Sequence, residues 1–518
     1  MKIKENKIVK KSKRGFVHVI FGRTMIIMLL LFVQLLLLST LMFSASKYVP
    51  YFFGSITVFT LVFLIFVLNT EENPAIKLSW CFFIGVLPVF GALMYLFVRT
   101  DLGHRIEQRA VARTISEGRK YRPDNKKTYE KLKIEDKGFY NLSRYLKDFS
   151  GFSAYENSKT TYFPLGENML EDMLLQLKKA EKFIFLEYFI IKEGFMWDSI
   201  LSILKEKAEK GVEVRVLYDG TNAVSNLPYN YPRKLKKLGI KCKMFSPLRP
   251  FVSTHYNNRD HRKILVIDGV CAYTGGVNLA DEYINVTSPH GHWKDTAVKI
   301  EGEAVTGFTL MFLEMWNHNE KTRAYQEYLT EHKTKEAGIV IPYGDNPTDD
   351  ELLAENVYLD LINRAENYIY IMTPYLIIDS EMETALKYAA KRGVDVRIIL
   401  PAKPDHIYAY VLAEDHYPSL IKAGVKIYTY TPGFIHAKVF LVDGKYATVG
   451  TVNLDYRSLY LHFECGLLMY ETECIKDIYA DFIKTFEKSH WVNKKDIKKR
   501  SFLSRLAGKL IKAIAPLM

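Results

Sequence analysis

One string of eighteen residues occurs twice in this chain, and no other feature constrains the fold as tightly. The copies are HRKILVIDGVCAYTGGVN at 261–278 and HAKVFLVDGKYATVGTVN at 436–453. His261, Lys263, Asp268, Gly275 and Asn278 match His436, Lys438, Asp443, Gly450 and Asn453 at a constant offset of 175 residues. A lone H-x-K carries almost no information. Two copies with every spacing kept require two copies of the structure that holds them.

The surroundings repeat as well. KGVEVRVL (210–217) and RGVDVRIIL (392–400) nearly superimpose. Apolar spacing predicts helices over Asn168–Ala180 and Trp197–Lys210, with strands over Phe183–Ile191 and Val212–Tyr218. The same order returns as a helix over Glu351–Ala365, a strand over Tyr368–Met372, a helix over Ser380–Lys391 and a strand over Val394–Leu400. The reading is a duplicated α/β domain, with repeat 1 at 151–335 and repeat 2 at 336–494. Each repeat is expected to form a mixed sheet flanked by helices.

The motif lies on strand-like sequence. His261 and Lys263 are two residues apart, so they point to one face, as do His436 and Lys438. Apolar neighbours predict that the strand is buried, and a buried lysine requires a partner. A phosphate held between the repeats on a pseudo-twofold axis supplies one. Asn278 and Asn453 are expected to add amide donors. Gly275, Gly276 and Gly450 are expected to let backbone approach closely. Such a site suits phosphodiester chemistry. One imidazole attacks phosphorus to form a phosphohistidine, the other moves the proton of the alcohol, and lysine and amide groups stabilise the charged oxygens. The reading calls for no cofactor and no metal. His290 and His292 form an H-x-H, read as a surface loop.

Three uncharged segments precede the repeats, at 25–45, 52–68 and 78–98, behind a basic tail at 1–24 with eight Lys or Arg. About 20 apolar residues cross a bilayer, so these are expected to be transmembrane segments of a multi-pass cell-membrane protein. The tail favours a cytoplasmic N-terminus. Arg99 to Lys120 are also basic and favour the same side for the end of the third segment, which leaves the side of the catalytic part open. Residues 99–150 are highly charged and read as a juxtamembrane linker. A net charge of +13 suits an anionic partner such as lipid, nucleic acid or a phosphorylated substrate. The apolar segments argue against nucleic acid. Five cysteines, Cys81, Cys242, Cys271, Cys465 and Cys474, include no C-x-x-C pair, which argues against a disulfide framework or zinc site.

On these residues the chain resembles the phospholipase D superfamily over about 150–490. TPYLIIDSEMETALKYAAKRGVDVRIILP (373–401), GVKIYTYTPGFIHAKVFLVDG (424–444), GTVNLDYRSLYLHFE (450–464) and NNRDHRKILVIDG (257–269) resemble bacterial cardiolipin synthases. NPAIKLSWCFFIGVLPVFGALMYLFV (73–98) resembles the membrane hairpin of that family. The resemblance implies that two phosphatidylglycerol molecules are joined into cardiolipin with release of glycerol. It implies His261 as nucleophile and His436 as general acid and base. It also implies a downstream acid behind each histidine, for which Asp295 and Glu464 suit, 34 and 28 residues beyond His261 and His436. Asp268 and Asp443 complete the catalytic motifs, and bonding within the fold is their expected part. Thr451 matches a family position that often carries Ser or Thr after the first glycine. Position 276 is Gly, so a hydroxyl is missing from that half.

The C-terminal stretch 495–518 is read as a basic amphipathic helix at the membrane surface, with Phe502, Leu506, Leu510 and Ile514 on one face. Three alternatives share the motif: a hydrolytic phospholipase D, another phosphatidyltransferase such as a phosphatidylserine synthase, and a nuclease.

Overall fold

The computed structural model describes residues 32, 34, 36, 49–99, 102–247, 258–349 and 351–517. The basic tail at 1–24, and all but three residues of the segment at 25–45, lie outside the described residues. The chain divides into two units, one comprising 1–106, 248–256 and 510–518, the other 107–247 and 257–509.

The larger unit contains both repeats. Repeat 1 contributes β1 (Ser158–Phe163), β2 (Phe183–Tyr188), β3 (Glu213–Asp219), β4 (Lys241–Phe245), β5 (Lys263–Ile267), β6 (Cys271–Gly275), β7 (His292–Lys294) and β8 (Ala297–Gly302). Repeat 2 contributes β9 (Ile339–Asp345), β10 (Tyr368–Met372), β11 (Leu376–Ile377), β12 (Asp395–Pro401), β13 (Lys426–Tyr430), β14 (Gly433–Ile435), β15 (Val439–Val442), β16 (Tyr446–Gly450), β17 (Leu454–Asp455), β18 (Glu464–Tyr470) and β19 (Ser489–Trp491). Among the described residues, one sheet runs β1-β8-β6-β5-β2-β3-β4 and the other β9-β18-β16-β15-β10-β12-β13-β19. The first seven positions correspond one to one. In each sheet the three strands joined by helical crossovers are parallel, β2-β3-β4 and β10-β12-β13, and the motif strands β5-β6 and β15-β16 join antiparallel to them. The predicted helices and strands fall where periodicity places them, at Gly166–Lys179, Phe195–Glu209, Leu353–Arg364 and Ser380–Lys391 among the helices.

The stretch read as a linker is a correction. Helices Leu102–Arg119, Lys126–Glu135 and Lys137–Ser150 cover most of it. Val111, Tyr129, Leu132, Phe139, Leu142 and Leu146 are buried in the core cluster of the catalytic unit. Phe139 stacks on Tyr446 and Tyr470, and Arg122 forms an ion pair of 2.8 Å with Glu314, both side chains 2% exposed. High charge concealed the pattern, because only one narrow face of each helix is apolar.

In the smaller unit, helix Val49–Leu68 carries no charged residue. The segment expected at 78–98 is two helices, Pro74–Val86 of 13 residues and Pro88–Arg99 of 12. Pro88 lacks an N–H and its ring crowds the preceding turn, so the helix bends at Leu87. The bend is sharp, since a Cβ on Gly91 would lie 2.8 Å from Ile84 Cα. Trp80, Ile84, Tyr95 and Val67 pack inside, with Trp80 and Tyr95 rings 5.2 Å apart. Val58, Leu61, Val62, Ile65, Phe66 and Leu78 are exposed. Among the described residues no helix is long and apolar enough to cross a membrane. The C-terminal helix is also interrupted. Lys494–Lys499 and Phe502–Lys512 are separate helices. Between them Arg500 donates to the carbonyls of Glu414 and Val411 and pairs with the Glu414 carboxylate at 2.8 Å.

Candidate active site

Each motif histidine sits just before a motif strand, with its lysine at or near the strand's start. The loop before each histidine pairs with the other repeat. The N–H of His261 donates to Phe463 O at 2.9 Å, and the N–H of His436 donates to Lys294 O at 2.7 Å. The residue after each of these carbonyls is an acid. The two crossings are therefore equivalent, and each brings a carboxylate of one repeat beneath the histidine of the other.

His261 Nδ1 lies 2.9 Å from each Glu464 oxygen, and His436 Nδ1 lies 2.6 Å from Asp295 Oδ2. This corrects the pairing read from spacing, in which each acid served the histidine upstream in its own repeat. All four side chains are buried. Burial lowers His261 to about 3 and His436 to about 4, against the opposing pull of Glu464 and Asp295. Both rings are neutral near pH 7, and a proton on Nδ1 facing the carboxylate leaves the Nε2 lone pair free. Burial raises both acids, but the histidine and lysine beside each outweigh it and hold them below the usual carboxylate range.

Lys263 and Lys438 are buried on the inner face, each donating to the carbonyl of its own motif histidine. Burial lowers Lys263 to about 8. Burial first, then the charge of Lys263, lowers Lys438 to about 7. That Lys263 also acts on His436 shows that the two motifs converge.

Asp268 and Asp443 lie outside this cluster. Asp268 accepts from the N–H groups of Glu181, Lys182 and Phe183, and Asp443 from those of Glu366, Asn367 and Tyr368. Their backbones are left-handed, at φ 53° and 52°. Each locks the turn after its motif strand to the neighbouring strand, so their place among the catalytic motif residues is corrected to a structural one. Gly275 and Gly450 also differ from expectation. Added Cβ atoms would meet Thr296 O at 2.3 Å and Cys465 O at 2.5 Å, so the close approach is by the adjacent strand and not by a ligand.

Asn278 donates to Tyr283 Oη at 2.8 Å and accepts from Ile190 N–H at 3.0 Å, which ties both ends of its amide. Asn453 is buried, and among the described residues its Oδ1 has no hydrogen-bond partner. Thr451 Oγ1 donates to Glu464 Oε2. At the matching position a Cβ on Gly276 would lie 2.1 Å from Asp295 Oδ1. The missing hydroxyl is the space that the shorter acid occupies.

Several neighbours escaped the sequence reading. Phe189 meets His261 edge-on at 4.9 Å, and Tyr283 meets His436 at 5.4 Å. Trp293 lies 5.6 Å from His436 and His462 lies 5.5 Å from His261. Registering the two acids, instead of the two histidines, aligns Trp293-Lys294-Asp295 with His462-Phe463-Glu464 and would have found the last two. Ligand atoms of His261, His462 and Glu464 lie within 4.8 Å of one another, a set with the chemistry to hold a divalent cation. His292, read as part of a surface loop, is in β7 and contacts Tyr430 Oη at 3.0 Å. The five cysteines are free thiols.

The family model "Cardiolipin synthase, PLD-like domain" matches residues 173–316 and 358–489, and "Phospholipase D-nuclease N-terminal" matches 56–99. An uncharacterized protein of Streptococcus mutans is 50% identical over 457 residues, covering 88% of this chain and 99% of that one. Cardiolipin synthase of a Geobacillus species is 33% identical over 468 residues (89% and 92% covered). Cardiolipin synthase 1 of Bacillus anthracis is 32% identical over 481 residues (90% and 93%). In solved structures, phosphatidylserine synthase of Haemophilus influenzae shares the fold, with a TM-score of 0.55 at 16% identity over 71% of this chain and 95% of that one.

Proposed function

Because this chain belongs to the cardiolipin synthase family of phospholipase D-like proteins, we propose that it transfers a phosphatidyl group between two phosphatidylglycerol molecules, giving cardiolipin and glycerol. The observation that carries this reading is the crossed pair of histidine–carboxylate contacts, His261 with Glu464 and His436 with Asp295, beside two buried lysines.

The steps follow from the residues. The Nε2 lone pair of His261 attacks phosphorus while Glu464 stabilises the charge that grows on the ring. The bond from phosphorus to the glycerol oxygen breaks, and His436 protonates that oxygen. The negative phosphodiester beside His436 favours the imidazolium required for this step. A second phosphatidylglycerol then offers a headgroup hydroxyl. His436 takes its proton, the new P–O bond forms, and His261 is released. Lys263, Lys438 and Asn453 hold the nonbridging oxygens. The chemistry uses side chains alone.

Lipid access is part of the proposal. The outward apolar side chains of helix Val49–Leu68 and of the bent pair after it suit contact with acyl chains, with transmembrane insertion completed by the segment at 25–45. The exposed Phe502, Leu503, Leu506 and Leu510 on a basic helix suit the interface of an anionic membrane. Anchoring raises the local concentration of the acceptor lipid over that of a free competitor.

The test is product analysis with the full-length protein in nanodiscs containing labelled phosphatidylglycerol. Cardiolipin and glycerol in equal amounts support the reading, and His261→Ala should abolish both. Phosphatidic acid as the sole lipid product would assign a hydrolase instead.

A further inference from the structure

The two halves of the site differ at the residue two positions before each acid. Trp293 precedes Asp295 and His462 precedes Glu464. These positions are equivalent in space, because the carbonyl that follows each one binds the N–H of the histidine it flanks. One half therefore sets an indole beside its motif histidine, and the other sets a second imidazole.

His462 is 8% exposed, and among the described residues neither of its ring nitrogens has a hydrogen-bond partner. Its Nδ1 lies 3.7 Å from Glu464 Oε1, beyond hydrogen-bond reach. That carboxylate instead bonds His261 Nδ1 and Thr451 Oγ1. A buried imidazole without a partner at either nitrogen is unfavourable unless a ligand supplies one. The polar groups of repeat 1 near His261 are committed. Lys263 donates to the His261 carbonyl, Asn278 is bonded at both ends, and Gly276 has no side chain. Trp293 Nε1 is likewise buried without a partner, so both flanking residues hold an N–H in reserve.

We propose that His462 is a third catalytic histidine, whose ring N–H donates to a nonbridging oxygen of the phosphoryl group while that group is bonded to His261. Trp293 is its mirror on the other half. The proposal rests on the phosphatidyl-transfer reading above. His462 forms no covalent bond and ends each cycle with the proton it began with, so the bonds made and broken at phosphorus are unchanged. It lowers the energy of the charged oxygens in the step that loads His261 and in the step that unloads it.

The experiment compares His462→Phe, which keeps the ring and loses the donors, with His462→Asn, which keeps an amide donor. Both are made in the full-length protein in nanodiscs, with EDTA present so that no cation occupies His261, His462 and Glu464. Thermal midpoints identify any variant that fails to fold; His462→Leu then replaces the Phe variant and His462→Gln the Asn variant. Orthovanadate, which mimics the five-coordinate phosphorus, is the probe that needs no lipid. His462→Phe should weaken vanadate binding by about tenfold or more. It should lower kcat by about 10²-fold with KM for phosphatidylglycerol little changed, and His462→Asn should recover most of both losses. A His462→Phe enzyme within twofold of native in both measurements overturns the proposal, as does equal loss in the Phe and Asn variants. If native protein releases only phosphatidic acid, the substrate assignment fails, and the vanadate comparison still decides the role of His462.

Discussion

His261 Nδ1 and the Glu464 carboxylate lie 2.9 Å apart although 203 residues separate them and each belongs to a different repeat. The reciprocal contact, His436 with Asp295, spans 141 residues in the opposite sense. Neither repeat holds a complete histidine–acid pair by itself. Glu464→Gln should therefore lower phosphohistidine formation on His261, by about 10²- to 10⁴-fold in rate, through loss of the charge behind the ring. Asp295→Asn should leave loading of His261 the less affected and slow proton transfer by His436. Trapping labelled enzyme and mapping the modified peptide distinguishes this from acids that serve their own repeats, which would exchange the two results.

Gly276→Ser should impair the other pair. Its Cβ would lie 2.1 Å from Asp295 Oδ1, which the Thr296 N–H holds at 2.8 Å, and 2.9 Å from the His436 carbonyl oxygen. Moving Asp295 misplaces His436, and a loss of about 10²-fold in kcat is expected for such a displacement. Steady-state turnover of phosphatidylglycerol measures it. Native turnover in Gly276→Ser would argue against this placement of Asp295.

The lysines predict a pH effect on binding. In the empty site Lys438 and Lys263 are lowered to about 7 and 8, chiefly by burial. Each is charged below its value and neutral above it. The phosphodiester keeps its charge throughout, so KM for phosphatidylglycerol should rise as pH increases from 7 to 9, by at most tenfold per unit for each lysine lost. Lys438→Met should raise KM at pH 6 and delay the remaining pH-dependent rise to about pH 8. A KM profile in Lys438→Met parallel to native would contradict the assignment.

Arg122 tests whether the helices before repeat 1 belong to the catalytic unit. Arg122→Met leaves the Glu314 carboxyl buried without its partner, and breaking such a pair costs about 3–5 kcal/mol. Arg144→Ala, which removes an exposed pair with Asp148, should leave stability nearly unchanged. Thermal midpoints in detergent should separate the two variants by several degrees. Equal midpoints would return this stretch to the role of a linker.

Phe502 and Leu503 are each 74% exposed beside basic residues. The double variant Phe502→Ser, Leu503→Ser should bind liposomes containing anionic lipid less tightly when residues 107–517 are prepared without residues 1–106, provided that fragment folds by circular dichroism. Unchanged co-sedimentation would exclude the helix as a membrane contact.

Local chemistry made much of this legible in the sequence. The duplication, the helix and strand order and the position of the motif strands follow from residue spacing, because periodicity is a property of neighbours along the chain. The charged stretch at 99–150 was misread, since its apolar face is narrow and its partner, Glu314 among others, is remote. His462 was passed over because it does not fall on the 175-residue offset that drew attention to the motifs.

The sequence by itself determined that two equivalent H-x-K strands exist, that they are buried and that each has an acid downstream. Only the tertiary structure decided which acid lies beside which histidine, that Gly276 makes room for Asp295, and that His462 lies beside His261 while Trp293 takes the matching position beside His436. Strand formation depends on contacts a few residues apart. The pairing across the pseudo-twofold axis depends on how two sheets dock, and carbonyls 463 and 294 set that geometry from the far side of each repeat.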